Sequence, residues 1–136
     1  MTLGERAKNY YVNEHLNCAV STLLAASDVY NLGITKDSAK LVTAFGGGMG
    51  CGNLCGALAG AMAALGKVYL PADAMYTPEF KDVCAGFVAE FENRWGTTLC
   101  APIKEKNVTP EERCGKTVLE TGNLLQEYID RILAEK

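Results

Sequence analysis

The chain has 136 residues, enough for one domain and for a hydrophobic core that needs no disulfide staples. Hydrophobic residues make up 49%, charged residues 21%, and the net charge is −3, which describes an ordinary globular chain rather than a disordered or membrane-embedded one. The 13 basic residues are scattered, so no nucleic-acid-binding stripe forms.

Met1 to Asn13 contains no apolar leader core, and the apolar run Leu54 to Leu65 is shorter than the ~20 residues that span a bilayer. The expectation is a single domain, 1–136, of a cytoplasmic, bacterial-type protein without membrane insertion.

Thr2 followed by Glu5 is a capping box, opening a helix through about Val12. Asn17 is an N-cap for CAVSTLLAASDVYN, which stops at Gly33. Thr35 caps a third helix ending at Phe45, and Asn53 a fourth, LCGALAGAMAALG. Thr77-Pro78-Glu79 and Thr109-Pro110-Glu111 are two copies of one start signal, with a Thr cap, Pro at the first helical position and Glu at the positive end. The first of these helices ends at Trp95-Gly96. The second carries Val118, Leu125, Ile129 and Ile132 on one face to the C-terminus. Gly96 to Val108 reads as a loop tethered at Cys100. Only Leu41–Phe45 and Lys67–Leu70 have strand character, and both are short. The fold class is all-α, a bundle of five to six helices around a glycine-rich central segment.

That segment, FGGGMGCGNLCGALAG from Phe45 to Gly60, lacks the Lys-Ser or Lys-Thr of a Walker loop and the spacing of a dinucleotide fingerprint. Gly52, Gly56 and Gly60 lie four apart and would form one flat helical face, preceded by Gly47 and Gly48. Such a face admits a bulky cofactor, tight helix packing or the partner of a symmetric homodimer.

Six cysteines in a reducing compartment point to redox or metal chemistry, although a lone buried cysteine is often inert filler. Cys18 and Cys55 fall at helix starts, where free N–H groups and the macrodipole would lower a thiol pKa. Cys114 points inward from the last helix and Cys100 lies in the preceding loop. Cys51 stands beside Cys55 as an accessory thiol or ligand, and Cys84, between Phe80 and Phe87, reads as core filler. The absence of CxxC argues against a thioredoxin-like site and zinc knuckles. The only histidine, His15, lies three residues before Cys18 and could tune it.

Asn17-Cys18-Ala19, FGGGMG, Cys55-Gly-Ala-x-x-Gly60, Cys100 and Cys114, in that order, resemble the family grouped as redox-active on a C…GCAxxG…C…C pattern. The resemblance runs from about His15 to Leu133; Cys51 and Cys84 are additions to the pattern. It implies an all-helical fold and a redox role for Cys18, Cys55, Cys100 and Cys114. A similar domain in a haem protein with an iron–sulfur centre implies a cluster or metal held by the same four. Three readings follow: thiol–disulfide or electron-transfer chemistry with an unknown redox partner, an iron–sulfur or other metal protein, and a non-catalytic scaffold or small-molecule binder. The first two require the four thiols to converge; the third expects dispersal.

Overall fold

Local capping sets where the helices begin. A computed structural model describes all residues, 1–136. Helix α1 (Leu3–Val12) opens on the reciprocal Thr2–Glu5 box, with the Glu5 N–H donating to Thr2 Oγ1 at 3.1 Å and the Thr2 N–H to Glu5 Oε1 at 2.9 Å. At α2 (Cys18–Tyr30), Asn17 Oδ1 accepts the Val20 N–H at 2.9 Å, and the helix ends on left-handed Asn31, two residues before Gly33. Thr35 caps the single turn α3 (Lys36–Ala39), which tightens into a 3-10 segment, Lys40–Phe45. The Asn17 amide also donates to the Thr43 carbonyl at 2.8 Å, tying that segment to the start of α2. Then follow α4 (Gly56–Tyr69), α5 (Phe80–Trp95), α6 (Cys100–Asn107) and α7 (Gly115–Ala134).

The fold is all-α, with seven helices rather than five or six, and no strand. The additional helix is α6, within the stretch expected to be a loop. Its signal was Pro102 in the first turn, where a missing N–H costs nothing. Both Thr-Pro-Glu triplets form turns that precede their helices. Phe80 N–H donates to the Thr77 carbonyl at 3.0 Å, and Thr109 and Arg113 exchange backbone hydrogen bonds of 3.0 and 2.7 Å. The helices themselves start at Phe80 and Gly115. Leu41–Phe45 lies in the 3-10 segment and Lys67–Tyr69 in the last turn of α4, so neither strand-like stretch is a strand. The fourth helix begins at Gly56, capped by the backbone of Cys55 and not by Asn53.

Helix α2 is the central rod, buried from Ala19 to Ser27. Helices α1 and α4 flank it, and α7 lies across α1 with Val118, Leu125 and Ile129 fully buried. Phe87 and Phe91 of α5 close the side against α7, each large side chain contributing about 1.5–3 kcal/mol of burial. Two contacts admit no side chain. A Cβ on Gly60 would lie 2.3 Å from the Ala19 carbonyl oxygen, and one on Gly122 would lie 2.6 Å from Gly4 Cα. Gly60 therefore seats α4 on α2, and Gly122 seats α1 on α7. Of the uses open to the glycine face, tight helix packing is the one Gly60 serves, and Gly52 is not part of α4 at all.

Candidate functional site

Each of four cysteines stands at a helix start. Cys18 is the first residue of α2 and Cys100 the first of α6; Cys55 immediately precedes α4 and Cys114 immediately precedes α7. Their four helices end on one cavity of about 320 Å³, and all four cysteines line it. Cys51 and Cys84 do not; Cys51 is exposed, its thiol 3.6 Å from the Gly48 carbonyl, and Cys84 is half-buried on α5.

Glycines make the convergence possible. A Cβ on Gly56 would sit 2.3 Å from the Cys18 sulfur, so that sulfur rests on bare backbone beside Cys55. A Cβ on Gly48 would lie 2.5 Å from Cys100 Cβ, which lets the loop reach α6. Gly47 and Gly48 both have φ of +65°, conformations glycine adopts without penalty. Gly52 packs on Ala101, so among Gly47, Gly48, Gly52, Gly56 and Gly60 only Gly47 and Gly56 face the cavity. A short backbone clamp holds the next two cysteines: Cys55 N–H donates to the Thr98 carbonyl at 2.8 Å and Cys100 N–H to that of Asn53 at 2.5 Å.

The helix-start positions do not acidify the thiols. Burial pushes Cys18 up, against hydrogen bonds from the Gly47 and Ala19 backbone, and the neighbouring Cys114 and Cys100 add to the rise. Burial takes Cys55 further, up to about 12, despite the Leu58 and Ala57 N–H groups. Cys100 is also raised, by burial first and then by Cys114, with Lys104 opposing. The expectation of lowered values for Cys18 and Cys55 is thus reversed: removing a thiolate from water outweighs the helix end. At neutral pH these three are protonated thiols.

Around Cys114 the wall is polar. Its N–H donates to Tyr11 Oη at 3.2 Å, and burial raises the Tyr11 phenol so that it keeps its proton. Arg113 lies over the Tyr11 ring at 4.3 Å and donates to the Tyr11 carbonyl at 3.0 Å. Lys104, His15 and Thr117 also line the cavity. Tyr11, Lys104, Arg113 and Thr117 escaped the sequence reading because their only signal is contact across the fold. No three His, Cys, Asp or Glu side chains stand close enough to hold one metal ion. A single-ion site does not fit the side chains as they stand.

The model of the family described as "Putative redox-active protein (C_GCAxxG_C_C)" matches residues 16–128. The chain belongs to this family. The C_GCAxxG_C_C match spans all four cavity cysteines and the glycine segment between them. No curated protein and no solved structure matches the chain. No helix of this C_GCAxxG_C_C protein is long and apolar enough to cross a membrane.

Proposed function

We propose that the chain is a thiol-based redox protein in which Cys18, Cys55, Cys100 and Cys114 form one reactive set. The observation that carries this reading is their shared cavity: four thiols from four separate helix starts line one space. A scaffold with cysteines as filler has no reason to gather them. In the reaction, two of the four thiols give up two electrons and two protons and form one S–S bond, while an incoming disulfide takes both and leaves as two thiols. Cys18, Cys55 and Cys100, all raised, rest protonated, so attack by any of these three requires a base or a higher pH at the moment of reaction. Tyr11, touching Cys114, supports that thiol as a neutral hydrogen-bonding partner.

A second reading has one specific observation in its favour. Thiols spread around a cavity, with backbone N–H groups at the sulfurs of Cys18 and Cys55, suit a polynuclear iron–sulfur cluster better than a single ion. A cluster bound by the four would supply one-electron transfer.

Anaerobic purification followed by a visible spectrum, iron and zinc content and a thiol count separates the two. We expect a colourless, metal-free protein that loses cavity thiols in pairs on mild oxidation, with Cys51 reacting alone. A brown, iron-loaded protein would overturn thiol exchange in favour of the cluster. Cavity thiols that are colourless, metal-free and inert to oxidant would overturn both.

A further inference from the structure

The charge around the cavity differs in sign from the chain that carries it. The protein has a net charge of −3, yet no Asp or Glu lines the cavity, whereas the cationic Lys104 and Arg113 do. Neither Lys104 nor Arg113 has a carboxylate partner. Of the carboxylates beside these residues in sequence, Glu14 pairs with Lys36 at 3.0 Å and Glu112 with Lys8 at 2.9 Å, while Glu105, next to Lys104, is exposed and outside the cavity lining. A second, independent feature points to a ligand. Thr117, 3% exposed, lines the cavity, and its buried Oγ1 has no hydrogen-bond partner. A native protein rarely leaves such a group unsatisfied. Between these polar points the wall is apolar, formed by Leu16, Ala57, Ile103 and Val118.

We infer that the cavity takes a small carboxylate-bearing molecule with an apolar middle, and that its reactive form is an anionic low-molecular-weight disulfide. Lys104 and Arg113 receive the carboxylate, Thr117 offers its hydroxyl, and the apolar wall lays the disulfide against the cysteines. The reactive half of this inference rests on the thiol-redox reading; the anion-binding half does not. One protein thiol, deprotonated, attacks a substrate sulfur, forming a mixed disulfide and expelling one anionic thiolate, which takes up a proton. A second protein thiolate then breaks the mixed disulfide. Two substrate thiols leave, carrying the two electrons that the protein dithiol has lost.

The test uses the whole, reduced protein and three disulfides: dithiodipropionate (anionic), bis(hydroxyethyl) disulfide (neutral) and cystamine (cationic). Each rate of cavity-thiol oxidation is divided by that probe's rate with the urea-unfolded chain, which removes intrinsic reactivity. We expect dithiodipropionate to lead cystamine by about tenfold or more at low salt, the lead shrinking as salt rises. Lys104→Gln with Arg113→Gln, both at exposed positions, abolishes the lead, and Arg113→Lys keeps most of it. Suberate, the unreactive carbon counterpart, is titrated in parallel by NMR, with octanediol as its uncharged control. We expect saturable shifts at Thr117 with suberate alone. Equal normalised rates for the three disulfides, or failure of suberate to bind better than octanediol, would overturn the inference. Suberate binding without oxidation by any disulfide would sustain the anion site and sink thiol exchange.

Discussion

A thiol enclosed by protein is hard to ionise, and that governs how the cysteines behave with pH. Cys55 is raised from the ordinary 9.0 to about 12 by burial. Because the folded form holds its proton longer than the unfolded chain, this contribution to stability is whole below about pH 9. It is lost as pH rises from there towards 12, at about 1.4 kcal/mol per pH unit while the group titrates only in the unfolded state. Denaturant melts across that range would show the fall, and Cys55→Ala would make it shallower. An unchanged slope in the variant would mean that Cys55 ionises in the fold as freely as in the unfolded chain. The sequence showed which residues to watch: four of six cysteines were singled out by position and resemblance, and those four line the cavity. The direction of their titration was not legible, because desolvation depends on what surrounds a sulfur, and a linear sequence shows only what precedes and follows it.

Helix starts were legible wherever a side chain did the capping, as at Thr2, Asn17 and Thr35. They were misplaced where backbone alone begins the helix, as at Gly56, Phe80, Cys100 and Gly115, none of which has a side-chain cap. Asn17 does two jobs at the element scale: its oxygen caps α2 at Val20 and its nitrogen holds the Thr43 carbonyl. Asn17→Ala removes both, with an expected cost of about 1 kcal/mol for the cap and about 0.5–1.5 kcal/mol for the tie, whose exposed carbonyl regains water. Asn17→Asp keeps the acceptor and loses only the donor. Chemical denaturation of the two variants therefore separates the cap from the tie to the glycine loop. Equal losses would place the whole effect in the tie, and an intact Asp variant would place it in the cap.

At the scale of the molecule, the cavity depends on a contact outside its wall, one helical turn beyond Val118. Gly122 lets α1 lie against α7, and α1 carries Tyr11 to the cavity wall beside Cys114. In Gly122→Ala the new methyl would meet the Gly4 backbone at 2.6 Å, so α1 must shift, at a cost of about 1–3 kcal/mol. The expected signature is a lower unfolding midpoint together with faster alkylation of Cys114, read by mass spectrometry at native conditions. Lost stability with unchanged Cys114 labelling would show that Tyr11 does not guard that thiol. Such backbone-on-backbone contacts leave no trace in hydrophobic periodicity, which explains why the helices were largely legible and their mutual seating was not.

The sulfur resting on Gly56 also bears on how such chains can drift. A methyl at position 56 collides with Cys18 Sγ at 2.3 Å and with the Phe45 carbonyl at 2.9 Å, so while the thiol is present the glycine is pinned by two separate obstacles. Losing the cysteine to alanine removes only the first. Descendants that abandon the chemistry would therefore shed the cysteine readily and the glycine late. A Gly at this place in a chain that has lost its cysteine would report the Phe45 carbonyl that still faces it.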